Sequence, residues 1–257
     1  MVTGHAQSAT PSDGPAVQLE HVSKSFAGRQ VLNDVSLQVE SGRACCLLGR
    51  SGIGKSVTLK IMVGLIQPDN GRVLIEGTRV ERDNPAALAT IRRRIGFLFQ
   101  NAALFDSISV AENVAFPLRR HTRKSDSEIR KIVQEKLGEV ELEKDGRKMP
   151  AELSGGMSKR AGLARALALD PGILLIDEPT SGLDLITAGE IYDLLLRLKK
   201  NRGVTMVVVT HDITGARKFA DEFAVIDQGG IVGRGAADDL ARSDHPLVRQ
   251  LIVESET

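Results

Sequence analysis

From Val17 the chain alternates apolar and polar residues in two runs, "VQLEHVSKSF" and "RQVLNDVSLQVE", separated by Ala27-Gly28. Val31, Val35, Leu37 and Val39 partly alternate, the pattern of half-buried strands. "RACCLLG" is different: a short continuous apolar run, closed by a glycine loop and the helical stretch "KSVTLKIMVGL". That pattern predicts a buried parallel strand feeding a crossover helix. Three more buried strands are predicted at "IGFLFQ" (95–100), "GILLIDE" (172–178) and "VTMVVVTH" (204–211). "GRVLIEGTRV" and "FAVIDQGGIVGRG" read as hairpins. Between 101 and 170 the pattern turns helical. "SDSE" at 125–128 is a capping box, opening a stretch with Ile129, Ile132, Val133, Leu137 and Val140 on one face. The expected fold class is α/β, with a helical insertion and a small antiparallel sheet beside the parallel core.

Each predicted buried strand ends on polar or glycine-rich residues: the loop at 49–56, Gln100, Asp177-Glu178 and His211. Ligands of open parallel sheets bind beyond the carboxyl ends of the strands, so convergence of these four ends would make a nucleotide site. "GRSGIGKS" matches the phosphate-loop pattern G-x-x-x-x-G-K-[ST] in the required strand-to-helix setting. Across Gly49, Arg50, Ser51, Gly52, Ile53, Gly54, Lys55, Ser56 and Val57, the three glycines let amide N–H groups turn toward phosphate oxygens. Lys55 supplies positive charge to the β- and γ-phosphates, and the Ser56 hydroxyl is a natural Mg²⁺ ligand. Asp177, ending a buried strand, can reach the same metal, and Glu178 beside it can accept a proton from an attacking water. A second helix start suited to an anion lies at "AELSGGMSKRAGLARAL" (151–167), where Ser154, Gly155 and Gly156 precede an apolar stripe flanked by Lys159, Arg160 and Arg165.

Composition changes this picture little. The chain has 257 residues, 42% hydrophobic and 26% charged, ordinary for a globular protein. Its 34 basic and 33 acidic side chains nearly cancel, so no global field argues for nucleic acid. Local basic runs at 92–94 and 119–124 read as solvated faces or as surfaces for a membrane-embedded partner. Cys45 and Cys46 are adjacent and would point to opposite faces of a strand, so both are expected as small core residues without a disulfide. Residues 1–16 are expected to be a flexible tail without the apolar core of a secretory signal. No apolar run approaches the 18 residues that span a bilayer.

In this order the motifs resemble the nucleotide-binding subunit of ATP-binding cassette (ABC) transporters, over roughly residues 17–240. The resemblance runs through "GRSGIGKS" (Walker A), "FLFQ" (Q-loop), "LSGGM" (signature), "ILLIDEPTSGLD" (Walker B and D-loop) and "VTHD" (H-loop). It implies a P-loop NTPase core with a small antiparallel β subdomain, a helical subdomain at about 101–165, and a tail at 241–257 that forms a short helix or none. It also implies ATP and Mg²⁺, with Asp177 organising the metal, Glu178 as catalytic base, and Gln100 contacting metal and attacking water. His211 would hold the γ-phosphate, Asp184 would communicate across a dimer, and Phe26 would stack on adenine. In this family the signature closes over ATP held by a second subunit, so Ser154, Gly155 and Gly156 would serve a partner's nucleotide in a head-to-tail homodimer.

Met157 departs from the glutamine common at its position. "LSGGM" with "GRSGIGKSV" and "FQNAALFDSISVAENVAFPL" resembles the ATPases of MCE-type phospholipid transporters. That resemblance implies integral membrane permease subunits, an MCE-domain lipid-binding protein, and a peripheral position on the cytoplasmic face of the inner membrane. Leu104, Phe105, Ile108, Val114 and Phe116 are candidates for the groove that receives a permease's coupling helix. The alternatives are a motor for another substrate, such as a metal, amino acid or lipoprotein, or a non-transport cell-division ATPase. "HPLVRQLIVESET" carries Leu247, Val248, Leu251 and Ile252 at helical spacing and packs on its own domain or reaches a second subunit.

Overall fold

The structure, a computed structural model, describes residues 14–253. Residues 1–13 of the expected tail and 254–257 of the C-terminal segment lie outside the described residues. The first strand already begins at Pro15: β1 (Pro15–Phe26) pairs antiparallel with β2 (Arg29–Glu40). Then follow β3 (Ala44–Leu48), α1 (Lys55–Met62), β4 (Asn70–Ile75), β5 (Thr78–Arg79), α2 (Pro85–Arg94) and β6 (Ile95–Leu98). A helical stretch contains α3 (Val110–His121), α4 (Asp126–Glu139) and α5 (Gly155–Leu167). The chain returns through β7 (Ile173–Asp177), α6 (Leu185–Arg202), β8 (Thr205–Val209), α7 (Ile213–Ala216), β9 (Glu222–Asp227) and β10 (Gly230–Gly235). It closes with α8 (Ala237–Leu240) and α9 (Pro246–Val253).

Two sheets form. One is antiparallel, in the order β2-β1-β4-β5; the other runs β10-β9-β3-β8-β7-β6. In the larger sheet β9, β3, β8, β7 and β6 are mutually parallel, so the four predicted buried strands end on one edge. The hairpins turn at Ala27-Gly28, Glu76-Gly77 and Gln228-Gly229, where both residues hold positive φ, the geometry that matches the twist of paired strands.

Each face of the larger sheet covers a separate apolar core. Cys46 faces one, with Val114, Leu137, Leu163 and Leu195 from the helices and Phe219 from the turn after α7; Cys45 faces the other, with Val17, Leu37 and Leu59. Both thiols are buried and unbridged, as strand alternation requires. Burial pushes both thiols far above the ordinary cysteine value, which leaves them as inert packing groups. The capping box at Ser125 and Glu128 forms, with the Glu128 carboxylate accepting from the Ser125 amide at 2.7 Å. A second one, Ser109 with Glu112, opens α3.

Two expected positions shift. At the start of β2 the buried residue is Leu32, not Val31, because register irregularities against β1 and a left-handed Asp34 (φ +56°) break the alternation. Val114, a groove candidate, is fully buried among the helices. In α9, Val248 and Ile252 pack into the chain's own helical core. No described helix is long and apolar enough to cross a membrane.

Candidate functional site

The glycine loop leaves β3 and enters α1 at Lys55. Gly49, Gly52 and Gly54 all hold left-handed φ (+147°, +75° and +112°). At Gly49 a Cβ would meet the Ile226 carbonyl oxygen at 2.5 Å; at Gly54 it would meet Leu32 and Val31 side chains at 2.9 Å. Val31 is therefore half-buried because it covers the loop. Gly54 caps α1 without any side-chain bond, so the first amides of that helix keep no side-chain acceptor. Lys55 is buried, and its Nζ donates to the Gly49 and Arg50 carbonyls at 2.8 and 3.0 Å. Burial pulls this ammonium below the ordinary lysine value, and the nearby Glu178 and Asp177 partly restore it.

The neighbouring strand ends supply the acids. Ser56 Oγ donates to Asp177 Oδ1 at 2.8 Å, joining the start of α1 to the end of β7. The next residue, Glu178, sits at φ +49°, an unusual conformation for a non-glycine residue, and its amide donates to Val209 O at 2.9 Å. Glu178 Oε2 lies 2.8 Å from His211 Nδ1, with the imidazole exposed and the carboxyl mostly covered. Gln100 is exposed two residues beyond β6, and its carbonyl accepts from Lys159 Nζ. The loop, Asp177, Glu178, Gln100 and His211 thus share one edge of the sheet.

Ser154 caps α5, its Oγ accepting from the Met157 amide at 3.2 Å. Ser154 and Gly155 are exposed; Gly156 is buried, and a Cβ there would meet Thr187 Cγ2 at 2.5 Å. A Cβ on Gly155 would meet Leu183 Cδ2 at 3.1 Å, so this segment rests on the start of α6. Asp184 caps α6 by accepting from the Ile186 and Thr187 amides, each at 3.0 Å, and from Thr187 Oγ1 at 2.7 Å. Those bonds, the Thr187 amide foremost, hold its carboxyl below the ordinary range. Phe26, ending β1, is half-exposed with Lys24 Nζ 5.4 Å from its ring centre.

The model of the ABC transporter family matches residues 32–181. The chain belongs to the ABC transporter family. It is 44% identical over 239 residues to a Mycobacterium tuberculosis protein named "Probable ribonucleotide transport ATP-binding protein mkl", covering 93% of this chain and 67% of that one. It is 39% identical over 236 residues to the intermembrane phospholipid transport system ATP-binding protein MlaF of Escherichia coli K12, covering 92% of this chain and 88% of MlaF. Among solved structures, the cassette MJ0796, a dimer in a post-hydrolysis state bound to ADP and Pi, superposes with TM-score 0.78 at 36% identity. That match covers 86% of this chain and 98% of the other. The chain is accordingly an ATP-binding, ATP-hydrolysing cassette with the family's α/β core.

Within this ABC ATPase, three residues have contacts that the sequence alone did not reveal. Lys159, on the buried face of α5, donates to the carbonyls of Gln100 and Glu178 (2.8 Å for the latter) and to Ser181 Oγ at 3.0 Å. Its signal was a lysine, beside Arg160, among the small and apolar residues of that helix. Met157 is half-buried against the helical core, which gives its thioether an apolar role inside its own chain. Tyr192 spans the loops that follow β7 and β8. Of the groove candidates, Phe105 and Phe116 are 45% and 46% exposed with ring centres 4.8 Å apart, and Leu104 and Ile108 are half-buried. These two rings, with Phe97, Phe99 and Arg165, line a cavity of about 320 Å³.

Proposed function

We propose that this chain is the motor subunit of a membrane lipid transporter, in which ATP closes a head-to-tail homodimer and hydrolysis reopens it. The carrying observation is the linked set Ser56–Asp177 and Glu178–His211 on one edge of the parallel sheet, beside an uncapped helix start. In this reading Gly49 to Val57 cradle the phosphates by their amides, and Lys55 redirects its ammonium from the loop carbonyls to phosphate oxygens. Glu178 accepts the proton of the attacking water, His211 orients Glu178 and the γ-phosphate, and Gln100 positions that water. Phe26 offers a face to adenine. Ser154 and Gly155 face outward and, with the backbone of the buried Gly156 behind them, serve the partner's nucleotide, with Asp184 at the same surface.

Mg²⁺ fits this site. Ser56 and Asp177 bring hard oxygen donors together, and Gln100 lies two residues beyond the neighbouring strand. Among the described residues no cluster of three or more His, Cys, Asp or Glu forms a self-sufficient metal cage. That donor set suits an ion that keeps waters and substrate phosphates as its other ligands. When bound, it neutralises charge on the phosphates.

The exposed Phe105–Phe116 pair and its cavity receive the coupling helix of an integral permease. The subunit then sits peripherally at the cytoplasmic face of the inner membrane, with an MCE-domain protein in the same assembly. Similarity to MlaF and the "LSGGM" signature support phospholipid as cargo. The second reading, a ribonucleotide transporter, is favoured by the name of the 44% identical mycobacterial relative. Purifying the tagged full chain from its own membranes in mild detergent separates the two. The expected result is an integral permease with an MCE protein and bound phospholipid; a permease carrying nucleotide and no lipid supports the second reading.

A further inference from the structure

Tyr192 is the only tyrosine of the chain, and it is 1% exposed. Its hydroxyl lies 2.9 Å from Thr180 Oγ1 and 3.2 Å from Thr210 Oγ1, both threonines also buried. Thr180 stands two residues after Glu178, and Thr210 immediately precedes His211. A phenol donates one proton and accepts through two lone pairs, so it can serve both threonines at once. The seat is shaped for the ring: Phe219 stacks on it at 5.9 Å, and a Cβ on Gly215 would come within 2.0 Å of Tyr192 Cε2. Thr210 Oγ1 also accepts from the Asp212 amide at 3.1 Å, extending the network along the loop after His211.

The conformation of Glu178 makes this bridge matter. A non-glycine residue at φ +49° persists only where its surroundings over-determine it. Two links do so, one on each side. The Glu178 amide is tied to Val209 O at 2.9 Å, and Thr180 is tied through Tyr192 to Thr210. Both links hold the end of β7 to the end of β8, the gap that the Glu178–His211 contact spans. We infer that Tyr192 is a positioning residue for catalysis, its hydroxyl setting the spacing of Glu178 and His211 from behind. The inference rests on the roles proposed above for those two residues.

Tyr192→Phe keeps the ring, its stack and its seat, and removes one oxygen. Steady-state ATP hydrolysis by the full chain is expected to lose about five- to tenfold in kcat, with KM for ATP within about twofold of wild type. Adding Thr180→Val to Tyr192→Phe is expected to cost less than a further twofold, because the two act through one bond. Leu137→Ala loosens the same core away from the ring and its hydroxyl; it is expected to lower Tm and leave kcat unchanged. Wild-type kcat in Tyr192→Phe overturns the inference. So does a kcat loss equalled by Leu137→Ala, or a raised KM at unchanged kcat. Normal turnover by Glu178→Gln is a separate result, since it removes the catalytic base and with it the function proposed above.

Discussion

The two glycine-led helix starts, at 49–57 and 154–157, look alike as sequence and are built differently. In the first, three left-handed glycines bend the backbone, Gly54 leaves the helix start without a side-chain cap, and Lys55 and Ser56 are already tied into their own chain. In the second, Ser154 caps the helix, the glycines hold ordinary φ, and Gly156 is needed for close packing on Thr187. The first is a bent loop tied to the end of β7 through Ser56 and Asp177. The second presents Ser154 and Gly155 to the exterior on a firmly seated helix. The contrast teaches that glycine spacing alone does not tell a phosphate cradle from a presented surface; the φ values and the cap do.

The sharpest break in that comparison is chemical. Glu178→Gln keeps the shape of the glycine-loop site and removes its proposed proton acceptor. Turnover is expected to fall by about 10²-fold or more while ATP binding persists, measured by phosphate release beside equilibrium nucleotide binding. Lys55→Ala comes next. Losing a charge-assisted contact worth about 1.5–3 kcal/mol should weaken ATP binding roughly ten- to a hundredfold, read by titration with a fluorescent ATP analogue. Gly156→Ala tests the outward half by packing alone. A Cβ 2.5 Å from Thr187 should cost about 1–3 kcal/mol in urea unfolding, whereas Gly155→Ala, with Leu183 at 3.1 Å, should cost less.

Sequence reading reached the parts of this molecule whose causes are local. The four buried strands, the glycine loop, the capping box at Ser125 and the opposite faces of Cys45 and Cys46 each follow from a few neighbouring residues. It missed what depends on distant partners. Lys159 earns its place through Gln100, 59 residues upstream, and Glu178, 19 downstream. Tyr192 reads as one more apolar position on α6 until Thr180 and Thr210 are brought to its hydroxyl. Val31 and Leu32 exchanged roles because irregular pairing shifts the phase of β2, and periodicity carries no mark of such a shift. Val114 was grouped with Phe105 and Phe116 because hydrophobicity does not say which side of a helix meets the core.

Whether the outward segment completes a site on a second chain can be decided by mixing. Chains carrying Lys55→Ala and chains carrying Ser154→Arg are each expected to hydrolyse ATP poorly alone. If every site combines the glycine loop of one chain with the signature of the other, a mixed dimer keeps one intact site, and an equimolar mixture recovers up to about a quarter of wild-type turnover. If the loop and signature of a single chain serve the same nucleotide, neither chain has an intact site and the mixture stays as inactive as its parts.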